Sequence, residues 1–217
     1  MNRCAKWSAI ILAFMLCLVI TACSPAGSSQ NQTGKANNKI EGNPASKVVD
    51  PNREVVDLGS QVLQAFKNSD MKVLSKCVHP SKGVRFTPYA HVDINKDKVF
   101  TREQVKNLDT DKTQFIWGAY DGSGEPIKLT PREYLKKFVY TADFLDAKQL
   151  SVNKILGTGN TLENQFEVYP NTKIVEYHFP QINPKYEGHD WQSLRLVFEK
   201  TSGEWYLVGV IHSQWTI

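Results

Sequence analysis

The most constraining feature of this chain is the alternation near its end. From Gln192 to Glu199, Leu194, Leu196 and Phe198 fall on one face while Arg195, Val197 and Glu199 fall on the other. A turn containing Ser202 and Gly203 then leads into a second strand, Trp205 to Ser213. A lone hairpin with one apolar face is marginal in water and needs further strands and a cover. The sequence offers both. Ser151 to Leu156, Phe166 to Tyr169 and Lys173 to Phe179 read as additional strands, and Val55, Leu58, Val62, Leu63 and Phe66 recur at helical spacing. Helices first and strands afterwards predict an α+β fold with N-terminal helices packed on an antiparallel sheet.

Local signals fill in the middle of the chain. Asn68, Ser69 and Asp70 break the first helix, and a shorter one from Met71 to Val78 is stopped by Pro80 and Gly83. Val84 to Ile94 reads as extended. Thr101 and Gln104 stand in capping-box positions for a helix to Leu108. Gln114 to Tyr120 reads as a strand ending in the turn Asp121 to Gly124. Thr130, Pro131 and Glu133 then mark the start of a helix to about Val139.

The first 49 residues have a different character. Arg3 and Lys6 precede an apolar run from Ser8 to Ile20, too short to span a bilayer as a mature helix, which ends in small residues and Cys23. From Ser24 to about Val49 the chain is rich in Ser, Gly, Asn, Gln and Lys, a composition that cannot offset the entropy of ordering. As a coil it would reach on the order of 30 Å. Residues 1–22 are expected to be a signal peptide, 23–49 a flexible tether and 50–217 a single domain. With 41% hydrophobic residues among 217, the chain can bury one sizeable core. Its formal charge of +4 falls to +2 without the leader, too little for a nucleic-acid footprint.

Ile20, Thr21, Ala22 and Cys23 resemble the lipobox of bacterial lipoproteins. The resemblance implies cleavage before Cys23 and a diacylglycerol on its sulfur, which would hold the protein on the cell membrane facing away from the cytoplasm. Two acyl chains anchor far more firmly than one. Cys4 and Cys17 would leave with the leader, so Cys77 would be the one free thiol and no disulfide could form within the domain. Cys77 has His79 two positions on, but it sits among Val73, Leu74 and Val78 and reads as a small buried hydrophobe.

Few residues suggest chemistry. Asp93, Asn95 and Asp97, followed by Val99, Thr101 and Gln104, follow the spacing of a calcium loop. Lys98 replaces the turn glycine, Gln104 replaces the bidentate acid, and Lys96 and Lys98 oppose a cation, so a polar turn is the expectation. His178 and His212 fall in strands and, with Tyr177, Arg195, Asp190 and Trp191, form the candidate pocket. The sequence has no Gly-rich phosphate loop, no Gly-x-Ser-x-Gly elbow and no Cys-x-x-Cys pair, so no cofactor is expected.

Three stretches, HPSKGVRFTPY at 79–89, WGAYDGSGEPIKLT at 117–130 and DWQSLRLVFEKTSGEWYLVGVIHSQWTI at 190–217, resemble an uncharacterised family of secreted bacterial proteins and lipoproteins. The layout is also similar to the nuclear transport factor 2-like superfamily, which implies a cone of helices packed into a curved antiparallel sheet. That superfamily contains dehydratases, isomerases and proteins that only bind, so fold alone does not choose. The expected function is a membrane-anchored module that binds a small ligand, an envelope polymer or a protein. The alternatives are a dehydratase- or isomerase-type enzyme with Asp143, His178 or His212 as base, and a structural or dimerisation module.

Overall fold

The computed structural model describes residues 50–216; the expected leader, lipobox and tether lie outside the described residues. Helix α1 spans Arg53–Lys67 and buries Val55, Val62, Leu63 and Phe66, the stripe predicted from spacing. Helix α2, Met71–Cys77, begins at Asp70, whose carboxylate accepts the Val73 amide at 3.0 Å.

Eight strands follow: β1 Val84–Thr87, β2 Lys98–Phe100, β3 Phe115–Ala119, β4 Pro126–Leu129, β5 Gln149–Val152, β6 Lys173–Phe179, β7 Gln192–Thr201 and β8 Glu204–Gln214. Six form one curved sheet in the order β2-β1-β8-β7-β6-β5, while β3 and β4 form a separate hairpin. The fold is α+β, but the sheet is mixed rather than antiparallel, because β1 runs parallel to β8. Parallel neighbours cannot be joined by a tight turn, and here β2 to β7 lie between them in the chain. The β7–β8 turn has positive φ at both Ser202 and Gly203, the geometry that matches strand twist in a two-residue hairpin.

The capping boxes are real. Thr101 and Gln104 cap α3, Arg102–Val105, and Thr130 and Glu133 cap α4, Pro131–Tyr134. The helix then continues to Val139 as a π-helical turn, Leu135–Val139. The expected strand at Phe166 to Tyr169 is instead the one-turn helix α5, Gln165–Val168. Its β-forming residues are overruled by docking: Asn164 clasps Val92 through both backbone groups, at 2.8 and 3.0 Å, and Val168 and Tyr169 pack over the sheet. Of the extended segment Val84 to Ile94, only Val84–Thr87 is strand.

The sheet has two covered faces. One receives α1, α2 and the hairpin, with Val175, Tyr177, Leu194, Leu196, Phe198 and Val210 meeting Phe86, Phe100, Trp117 and Tyr134. Trp117 stacks on Tyr134 with centroids 3.8 Å apart, and its indole donates to the Leu129 carbonyl at 2.9 Å. The outer face carries a smaller cluster of Val92, Ile174, Val197, Val208 and Ile211.

Candidate functional site

An open cleft of about 890 Å³ lies between the β1–β2 connection and the β3–β4 hairpin. The hairpin approaches closely because Gly118 has φ +133°, where a side chain would be strained, and a Cβ there would lie 3.3 Å from the Pro88 ring. Tyr89 and Tyr120 form its aromatic wall. Both pack on Phe138, at ring-centroid distances of 5.8 and 6.2 Å. The Tyr89 hydroxyl accepts the Asp121 amide at 3.2 Å, and Lys137 donates to the Tyr120 hydroxyl at 2.9 Å. These bonds brace the two sides of the cleft.

Asp97 supplies the buried charge of this cleft. Its carboxylate accepts from the Thr87 hydroxyl at 2.6 Å and from the Asp93 amide at 3.1 Å. Burial nevertheless pushes its carboxyl up to about 6. His91 also lines the cleft, with its Nδ1 3.2 Å from the Leu162 carbonyl oxygen.

Asp93, Asn95 and Asp97 lie in one turn between β1 and β2. The Asp93 carboxylate accepts from the amides of Asn95 and Lys96, at 3.0 and 3.2 Å, and pairs with the Lys96 ammonium, which together form a closed polar turn. Among the described residues no three His, Cys, Asp or Glu side chains are grouped to hold a metal ion.

The six residues of the candidate pocket are not brought together. Tyr177, Leu194 and His212 are successive cross-strand partners on the helix-covered face. Glu176, Arg195 and Ile211 form the next such row, and His178, Ser193 and Ser213 another, both on the outer face. The sheet therefore separates His212 and Tyr177 from His178 and Arg195. His212 is sealed against Phe138, with Nδ1 3.0 Å from the Pro88 carbonyl, and burial holds it down at about 4. Tyr177 is buried, which raises its hydroxyl to about 12.

On the outer face, His178 lies 2.8 Å from the Ser193 hydroxyl and 5.9 Å from the Trp191 ring, and burial lowers its pKa. Arg195 is completely buried, bonds Glu163 at 2.5 Å and the Gly157 carbonyl at 2.6 Å, and forms an ion pair with Glu176 at 3.3 Å. This network fastens the loop after β5 to the sheet. Asp190 accepts the amides of Ile182 and Asn183, at 3.2 and 2.7 Å, and so closes its own loop.

The remaining candidate groups are also committed. Asp143 sits at the surface, where Lys67 and the Tyr140 hydroxyl hold its carboxyl below the usual range. Cys77 is buried, and its thiol is pushed up to about 11. His79 accepts the Ser81 and Lys82 amides through Nδ1, at 3.2 and 3.0 Å, and its Nε2 lies 3.0 Å from the Thr201 hydroxyl.

No family model matches the chain, and no curated protein is similar to it. Among solved structures it is similar to a nuclear transport factor 2-like protein from Cytophaga hutchinsonii, at 9% identity and TM-score 0.38, over 76% of this chain and 98% of that one. It is also similar to a nuclear transport factor 2-like protein with a cystatin-like fold from Novosphingobium aromaticivorans, at 13% identity and TM-score 0.36, over 75% and 80%. A third, of unknown function, is from Shewanella oneidensis, at 10% identity and TM-score 0.31, over 76% and 99%.

Proposed function

We propose that this chain is an exported lipoprotein, anchored through diacylglycerol on Cys23 and tethered by residues 23–49, whose domain binds a ligand in the Tyr89–Tyr120 cleft rather than transforming one. The observation that carries the binding reading is the state of the helix-covered face. Phe86, Trp117, Tyr134, Phe144, Leu194 and Leu196 fill it, with none more than 1% exposed. An enzyme acting from inside a cone needs an open pocket with a general base in reach of substrate. An open cleft outside, walled by two tyrosines with the exposed Ile116 at its edge, offers a ligand space instead. Such a surface suits a flat ligand with polar edges, such as a saccharide unit or a peptide side chain.

Amide chemical-shift mapping with a panel of saccharides, amino acids and short peptides tests this. Saturable shifts confined to residues 88–98 and 116–126, with no turnover, support the reading. Shifts only elsewhere, or turnover of a panel member, refute it. The second reading, a pocket-based enzyme, has one observation in its favour. Asp97 is a buried carboxyl raised to about 6 at an open cleft, the state a general base requires. Turnover abolished by Asp97→Asn would select that reading.

A further inference from the structure

The Tyr89–Tyr120 cleft carries its charges unevenly. On the β1–β2 side both carboxylates are spent within the protein. Asp93 serves the amides of Asn95 and Lys96 and the Lys96 ammonium, and Asp97 serves the Thr87 hydroxyl and the Asp93 amide. Lys98 lines the same side, half-buried, and makes no ion pair among the described residues. As the cross-strand partner of Phe86, a residue of the helix-covered core, it stands on the face toward the hairpin, while its neighbour Val99 stands on the other. This wall therefore presents a cation without a counter-charge.

On the hairpin side the phenol oxygens of Tyr89 and Tyr120 each already accept a bond, from the Asp121 amide at 3.2 Å and the Lys137 ammonium at 2.9 Å. Each hydroxyl keeps its one proton unspent, so both are poised to donate. Burial raises the Tyr89 phenol, which holds that proton at neutral pH. The Lys137 ammonium, also 4.5 Å from the Tyr120 ring centroid, polarises the Tyr120 hydroxyl and strengthens it as a donor. Phe138 packs against both rings and fixes their positions. The hairpin's own acid at the cleft is Asp121, exposed at the turn, where water screens its charge. Two half-buried rings, two donors and a cation thus line one space.

On the reading of the cleft as the ligand site, we propose that its ligand is an anionic saccharide unit: the sugar ring lies against Tyr89 and Tyr120, sugar oxygens accept from the two phenols, and a carboxylate faces Lys98. A neutral sugar meets the same rings and donors without the charge. An aliphatic acid meets the charge without the rings, and an amino sugar brings a like charge to Lys98. At about 890 Å³ the cleft has the size of ordinary small-molecule sites.

Amide-shift titration of the full chain with glucuronate, glucose, glucosamine and propionate tests this at the cleft residues. Glucuronate should bind about threefold or more tighter than glucose, the gain of one partly exposed ion pair, and tighter still relative to glucosamine and propionate. Lys98→Met should remove the preference for glucuronate over glucose. Tyr120→Phe, which keeps the ring, should weaken both sugars alike by several-fold. Asp121→Asn should tighten glucuronate relative to glucose by removing the opposing charge. Equal binding of glucose and glucuronate, a preference for glucosamine, propionate binding as tightly as glucuronate, a glucuronate preference that survives Lys98→Met, wild-type affinity in Tyr120→Phe, or weaker glucuronate binding in Asp121→Asn would overturn the proposal. Shifts at the cleft with short peptides but with no saccharide would overturn it while leaving the cleft a binding site. An absence of cleft shifts with saccharides, amino acids and peptides alike would overturn both.

Discussion

Gly59 of α1 passes so close to Tyr177 of β6 that any Cβ at position 59 would overlap the phenol oxygen. This contact sets how near the first helix can sit to the sheet, and the oxygen it shelters is buried without a hydrogen-bond partner among the described residues.

Gly59→Ala therefore has two opposing effects. Alanine favours the helix by about 1 kcal/mol, while overpacking a closed core costs about 1–3 kcal/mol. A net loss of stability is expected in urea denaturation. Tyr177→Phe removes the overlapping oxygen, so the Gly59→Ala/Tyr177→Phe double variant should be more stable than Gly59→Ala alone. Strict additivity of the two changes would show that the atoms do not meet.

The outer-face network predicts a graded series. Arg195→Met leaves Glu176, 1% exposed, buried without its cation, and should cost about 3–5 kcal/mol. Glu163→Gln should cost less, because the Glu163 side chain remains 14% exposed. Arg195→Met/Glu176→Gln should recover part of the loss by removing the stranded charge. Equal urea midpoints for Arg195→Met and wild type would contradict the network.

Asp97 and His212 should make opposite contributions to stability between pH 4 and 6.5. The Asp97 carboxyl, raised to about 6 in the fold, binds its proton more tightly folded than unfolded, so its contribution falls as pH rises from about 4 to 6. His212, held at about 4, binds its proton more tightly unfolded, so its contribution grows as pH rises over nearly the same window. The stability difference between Asp97→Asn and wild type should therefore increase in favour of the variant by on the order of 2 kcal/mol from pH 4 to 6.5. A pH-independent difference would show that the Asp97 carboxyl is not raised.

Where chemistry is local, the sequence could be read directly. The pairs Thr101 with Gln104 and Thr130 with Glu133 cap helices because each needs only residues three apart. The apolar stripe of α1 and the β7 alternation were legible for the same reason. Non-local pairing was not: nothing in Val84–Thr87 reveals that it lies parallel to β8, and nothing in Phe166 to Tyr169 reveals that docking turns it into a helical turn. The candidate site shows the same divide. His178 and His212 each obey strand alternation, yet they occupy opposite faces because the register between β6 and β8 is set through β7. Asp97 was visible as one oxygen of a calcium-like spacing, but its role at the cleft depends on Thr87 and on burial.

The proposed anchor and the domain should be separable. Cys23→Ser should abolish lipidation and signal-peptidase processing while leaving the domain from about residue 50 folded, which circular dichroism and membrane fractionation would follow. Normal membrane retention of correctly cleaved Cys23→Ser protein would contradict this.

Intact-mass and peptide mass spectrometry of the protein extracted from membranes decides the anchoring most sharply. The expected species is a mature chain beginning at Cys23 and carrying a diacylglycerol on its sulfur. A chain beginning at any other residue, or one retaining Met1 to Ala22 with an unmodified Cys23, would contradict it.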